Sequence, residues 1–115
     1  MRRIRKIGLA AAAGVMALIA SAPIASANSV NYGPSWIGSN SGGANVRSCA
    51  HMNCGSYGYL GNGTGVTMLC WTDNQWVYPP YSDYGSNRWF KIATPVGVGF
   101  THSSLVENQT SVGVC

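Results

Sequence analysis

The chain has 115 residues, of which 9% are charged, and a formal net charge of +4. Arg2, Arg3, Arg5 and Lys6 supply that excess. The remainder sets Arg47, Arg88 and Lys91 against Asp73, Asp83 and Glu107 and is neutral. A neutral domain lacks the basic face that displaces counterions from nucleic acid, so that class is excluded.

Residues 1–27 read as a signal peptide. A basic start is followed by an apolar stretch, Ile7 to Ala20, and by Ala25-Ser26-Ala27, a small-residue cleavage site. The alternative site Ala20-Ser21-Ala22 would place Pro23 directly after the cut. The apolar stretch is too short for a spanning helix, so no membrane contact is expected after cleavage. The Arg2-Arg3 pair hints at twin-arginine export, but its flanking residues fit poorly. The product is expected outside the cell or on the cell wall. It carries all four cysteines, Cys49, Cys54, Cys70 and Cys115, and an even count in a small exported chain reads as two disulfides. A core of this size is marginal without such staples.

Residues 28–42, rich in Gly, Ser and Asn, read as a flexible leader; an edge strand around Tyr32 to Ile37 is the alternative. Asn45 to Cys49 alternates as a short strand, and the chain turns back through Ala50 to Asn53. Gly55 to Leu60 is a second extended piece, with Tyr57 and Tyr59 on one face. Gly61 to Gly65, with three glycines, suits only a turn. Val66 to Trp71 is the strongest strand in the sequence. Thr72 to Asn87 reads as a long polar-aromatic loop containing Pro79-Pro80. Trp89 to Ile92, Thr94-Pro95-Val96-Gly97 and Val98 to His102 form a hairpin around which the domain is organised. Ser103 to Val106 makes one helical turn, and a tail runs to Cys115. No window shows a helical period. Five short strands with glycine turns predict an all-β barrel or sandwich of five to six strands.

In order, Asn45-Val46-Arg47-Ser48, Gly55 to Leu60, Gly63 to Met68, Trp89-Phe90-Lys91-Ile92 and Gly99 to Val106 resemble the bacterial SH3 domain. That family's pattern is N-V-R-S, a G-x-L followed by G-T-x-V, a W-x-K-V strand and G-x-V-H-S-S-x-V. The resemblance covers residues 43 to about 107, and the domain is expected to span 43–115. It implies a small, partly open SH3-like β-barrel and a non-catalytic module that binds cell-wall peptidoglycan or its peptides. The cysteines look like those of small exported actinobacterial versions. Two features depart from the pattern: Cys49-Ala50-His51-Met52-Asn53-Cys54 stands where many members have a Gly-Pro-Ser type loop, and Thr72 to Asn87 is longer and more aromatic than usual.

Four cysteines allow three pairings, and loop entropy does not separate them. Locality and topology favour Cys49–Cys54 and Cys70–Cys115. The four residues between the first pair can turn the chain back, and a strand end at Cys70 can receive the returning tail.

Cys49-x-His51-x2-Cys54 has the residue types of a zinc site, but zinc needs thiolates and a fourth ligand, and export favours oxidation. No metal or cofactor is expected. His102-Ser103-Ser104 has the residues of a hydrolase fragment without an acidic orienter. Three acidic residues give little scope for paired-carboxylate glycosidase chemistry. No enzyme is expected. Asn62-Gly63-Thr64 and Asn108-Gln109-Thr110 fit a glycosylation sequon, which has no consequence in a bacterium.

Trp71, Trp76, Tyr78, Tyr81 and Tyr84 crowd one stretch. Such side chains offer large contact area with a polar tip. The expected ligand surface is Tyr57, Trp76, Tyr78, Tyr81 and Tyr84, with Trp89 and Phe100 in the core. The partner is peptidoglycan or an extracellular peptide or protein, and the module is expected to be a monomer. The alternative is a small secreted protease inhibitor presenting the 72–87 loop.

Overall fold

A computed structural model describes residues 31–115. The signal-peptide reading and residues 28–30 of the leader lie outside the described residues. The strands are β1 (Ser35–Ile37), β2 (Gly43–Arg47), β3 (Ser56–Gly61), β4 (Gly65–Val77), β5 (Ser86–Thr94), β6 (Gly97–His102) and β7 (Val106–Glu107). A single 3₁₀ turn, Ser103–Leu105, separates β6 from β7, and no α-helix occurs among the described residues. The strands form one curled antiparallel sheet in the order β3-β2-β6-β5-β4-β1-β7. The fold is therefore an all-β, partly open barrel.

The β5–β6 hairpin has the most regular register, from Trp89 opposite His102 to Thr94 opposite Gly97. Pro95 and Val96 alone form its loop. Thr94 closes the turn, with Oγ1 donating to the Gly97 carbonyl (2.7 Å) and accepting from the Val96 N–H (3.1 Å). Gly97 has φ +120°, a conformation that glycine adopts at no steric cost.

Alternation along the strands fills the barrel. Ala44 and Val46, Val66 and Met68, and Phe90 and Ile92 point to one face and are buried with Ile37, Leu60 and Val106. Trp89, next to Phe90, must point the other way, yet only 1% of it is exposed. A second, smaller cluster accounts for this. Trp89 packs with Ala50 and Val77 on the opposite face, with Met52 and Phe100 against its edge. The sheet thus buries apolar surface on both sides there. Residues 48–55 and 78–85 supply the cover.

Both disulfides join the expected pairs, with Cα separations of 5.6 Å for Cys49–Cys54 and 4.9 Å for Cys70–Cys115. Both Cα separations lie in the range usual for disulfides. The tail does more than reach Cys70. The Trp71 N–H donates to the Gly113 carbonyl (2.9 Å), and the Cys115 N–H donates to the Trp71 carbonyl (2.8 Å). A parallel bridge joins Trp71 to Val114.

Four expectations are corrected. The segment 31–42 is not a loose leader throughout. Ser35–Ile37 pairs with both β4 and β7, and Ile37 is fully buried. Gly65 permits this, because a Cβ there would collide with the Tyr32 carbonyl. The Ser35 hydroxyl then donates to the Asn108 carbonyl (2.8 Å), and the Gly33 N–H to Thr67 Oγ1 (3.1 Å).

Thr72 to Asn87 is not one long loop. The strand β4 continues to Val77, with Thr72 opposite Trp89 and Asp73 opposite Arg88. Asp73 and Arg88 form an ion pair, and the Arg88 guanidinium lies 3.7 Å from the centre of a Trp71 ring. Those contacts knit a polar sequence into strand. The connection that remains is Tyr78 to Gly85.

The sheet has seven strands rather than five or six, because β1 and β7 are too short to show an alternation. Finally, Tyr57 and Tyr59 do not share a face. A bulge sets Val46 opposite Gly58 but Arg47 opposite Ser56, so Tyr57 is the extra residue and the alternation breaks there. The Tyr57 ring goes to Gly99 beside Val46, while that of Tyr59 packs over Gly43.

Candidate functional site

The outer face of β3, β2 and β5 carries a concavity of about 270 Å³. Asn45, Arg47 and Tyr59 line it from the sheet, and Met52, Pro80 and Tyr81 from the two covering loops. Trp89 and His102 form its base. A second concavity, of about 430 Å³, adjoins it, lined by Gln75, Trp76, Tyr78 and Pro79. Met52 and Tyr81 belong to both. Tyr81 is therefore the ridge between two hollows, with 71% of its surface exposed.

The connection 78–85 presents these rings from a braced frame. The Tyr81 N–H donates to the Tyr78 carbonyl (3.1 Å), closing a turn. Ser82 is buried, with Oγ 2.7 Å from the Tyr84 carbonyl and 3.2 Å from that of Val77, so one hydroxyl proton ties both ends of the loop. The Asp83 N–H donates to Ser104 Oγ (3.0 Å), and Asp83 Oδ1 accepts from the Asn40 N–H (2.9 Å). Trp76 and Tyr78 stand as a tilted pair with ring centres 5.8 Å apart. The other wall is fixed from β4, since the Met52 N–H donates to Gln75 Oε1 (2.6 Å). Aromatic groups on a frame already ordered lose little entropy when a ligand arrives.

His102 anchors the frame from below and is 2% exposed. Nε2 lies 2.8 Å from the Ser86 carbonyl, which can only accept, so that nitrogen carries the proton. Nδ1 then accepts from the Ser104 hydroxyl (2.9 Å) and from the Ser104 N–H (3.3 Å). The ring is thus a neutral imidazole. Burial pushes its pKa below the ordinary 6.5, against the raising effect of the Ser86 hydrogen bond. Ser104 Oγ is itself buried and is already used by Asp83. The His102-Ser103-Ser104 motif is a loop brace in this arrangement, with a backbone carbonyl where a triad has a carboxylate.

Of the expected ligand residues, Trp76, Tyr78 and Tyr81 come together across the two hollows. Tyr84 does not line them. Its ring lies 6.3 Å from that of His102, and its hydroxyl is 3.5 Å from Ser103 Oγ. Tyr57 is taken away by the bulge. The Cys49–Cys54 bridge removes both thiols from the Cys-His-Cys motif, and His51 Nδ1 accepts from the Asn53 N–H (3.1 Å). Sequence reasoning missed Asn45, Arg47, Met52, Tyr59 and Pro80. The alternation of Asn45, Arg47 and Tyr59 against buried Ala44, Val46 and Leu60 was the available signal for three of them. Met52 and Pro80 enter only through loop packing. No protein-family model, curated protein or solved structure matches this chain, so the reading of this face rests on its own geometry.

Proposed function

We propose that the chain is an exported, non-catalytic binding module of the bacterial SH3 kind, holding an extended cell-wall peptide or glycan across the face divided by Tyr81. The observation that carries the reading is the pair of adjoining hollows sharing Tyr81 and Met52, with exposed Tyr59, Trp76 and Tyr78 on their walls. Exposed aromatic groups with polar tips, set side by side on a braced loop, suit a polar ligand lying flat. The near absence of net charge outside the first six residues points away from an electrostatic partner. Two disulfides are compatible with an oxidising, extracellular setting.

Retention on purified peptidoglycan tests the reading. Tyr81→Ala and Trp76→Ala should each weaken retention by on the order of 2 kcal/mol if they are anchors. Both side chains are half or more exposed, so the thermal midpoint should hardly move. Wild-type protein that passes through wall material unretained refutes the proposal. The second reading, a protease inhibitor, is favoured by one observation, the exposed Tyr81 on a braced turn. A protease panel run beside the retention assay distinguishes the two.

A further inference from the structure

We infer that the first hollow receives a free carboxylate, carried by a short peptide, on the guanidinium of Arg47. This deepens the binding reading above and rests on it. Arg47 is the one charged side chain lining the hollow, the neutral His102 apart. Its Nη1 donates to the Cys54 carbonyl (3.1 Å), its single hydrogen bond among the described residues. A guanidinium has five donors, so one carbonyl leaves most of the fork unused.

None of the three acidic residues among the described residues pairs with Arg47. Asp73 pairs with Arg88, Asp83 accepts from the Asn40 N–H, and Glu107 lies in β7, which pairs with β1. Arg88 is neutralised by its partner. Arg47 and Lys91 are not, and both stand directly across from Phe100 on neighbouring strands. Direct cross-strand partners share a face, so two unneutralised cations flank one aromatic ring there. Lys91 Nζ lies 6.0 Å from the Phe100 ring centre. Of the three cations among the described residues, these two have no ion-pair partner.

The guanidinium is also held in place. Cys54, whose carbonyl it grips, is tied by its disulfide and by its N–H to the His51 carbonyl (3.1 Å). A planar fork fixed on one side is pre-organised for a planar anion. Asn45, Tyr59 and Tyr81 line the same hollow; Asn45 Oδ1 accepts from the Ser56 hydroxyl (2.9 Å), while the two tyrosine hydroxyls have no protein partner among the described residues. At about 270 Å³ the hollow falls just below the usual size of small-molecule clefts, which suits a short chain end or side chain. The single guanidinium and the aromatic walls favour a carboxylate over a more highly charged phosphate.

The test is a titration of ¹⁵N-labelled protein with N-acetyl-trialanine, with its C-terminal amide, and with that amide carrying Glu at the central position. The readouts are the Arg47 side-chain Nε–H and the backbone amides of Asn45 and Tyr59. The free acid should give saturable shifts, and the plain amide should bind about tenfold more weakly or worse, as loss of one charge-assisted pair implies. Binding by the Glu-containing amide assigns the site to any carboxylate, and its failure assigns it to a chain terminus; both support the inference. Arg47→Gln should abolish the shifts, and Arg47→Lys should retain a part that is lost in high salt. The lysine variant keeps the test valid if the glutamine variant is unstable. Equal binding of acid and amide, undiminished binding by Arg47→Gln, or no shift from any peptide at millimolar concentration would overturn it. Retention on wall material in any of those cases leaves the broader binding proposal standing and the carboxylate inference refuted.

Discussion

Neighbouring residues in this chain have opposite fates, and the pleat decides most of them. Phe90 goes to the barrel interior and Trp89 to the outer cluster, where its Nε1 donates to the Gln75 carbonyl (2.9 Å). That indole supports the floor of the candidate site. Gly43 matters in the same region because of what it lacks. A Cβ there would run into the Leu60 carbonyl and the Tyr59 ring. Gly43→Ala should therefore destabilise the domain by about 1–3 kcal/mol, as overpacking does, and tilt Tyr59 out of the first hollow. Gly55→Ala is the control, since nothing lies within 4 Å of its added methyl. Urea unfolding compares them, and equal midpoints would refute the account. Tyr57 shows where residue-level reading fails. Strict alternation puts it beside Tyr59, and only a bulge in β3 at Tyr57 itself, opposite the Val46–Arg47 step of β2, sends it elsewhere. A bulge has no period to detect.

At the level of elements, legibility followed length. The β5–β6 hairpin was readable because Trp89 to Ile92 is rich in strand-forming residues and Pro95 and Gly97 punctuate the turn. The first half of β4 was readable for the same reason. Its second half, Thr72 to Val77, is polar, and ladder pairing and the Asp73–Arg88 pair keep it extended. Three-residue β1 was legible only as the alternative to a leader, because it lies in a Gly/Ser/Asn-rich stretch, although its one fully buried aliphatic, Ile37, sits in the main core. Ile37→Ala should cost about 2–5 kcal/mol, the usual range for emptying such a site. Val114→Ala, at 69% exposure, should change stability by no more than about 0.5 kcal/mol. Denaturant titration of both variants decides. A neutral Ile37→Ala would mean that residues 31–42 behave as the loose leader their composition suggests. Of the candidate site, the aromatic supply was legible and its arrangement was not, because loop packing brings Met52, Pro80 and Tyr81 over the sheet.

At the scale of the whole molecule, one titratable group joins the sheet, the 3₁₀ turn and the aromatic loop. His102 in β6 accepts from Ser104, whose hydroxyl receives the Asp83 N–H, and it donates to Ser86 at the start of β5. Its folded-state pKa lies below 6.5 because burial disfavours the cation. The unfolded chain therefore takes up a proton first as the pH falls. Wherever the unfolded state binds more protons, stability rises with pH. The contribution of His102 is thus fully present above pH 6.5 and declines as the pH drops through 6.5 towards the lower folded value. Protonation also removes the acceptor at Nδ1 that Ser104 uses, so the brace under the aromatic loop loosens in the same window. Asp73, held below its ordinary 3.8 by its hydrogen bond to Arg88, loses its contribution only in stronger acid, so the two effects separate. The thermal midpoint should fall between pH 7.5 and pH 5. His102→Gln, although less stable throughout, should show a flatter dependence over that range. A variant whose midpoint falls as steeply as that of the wild type would assign the acid sensitivity to another group.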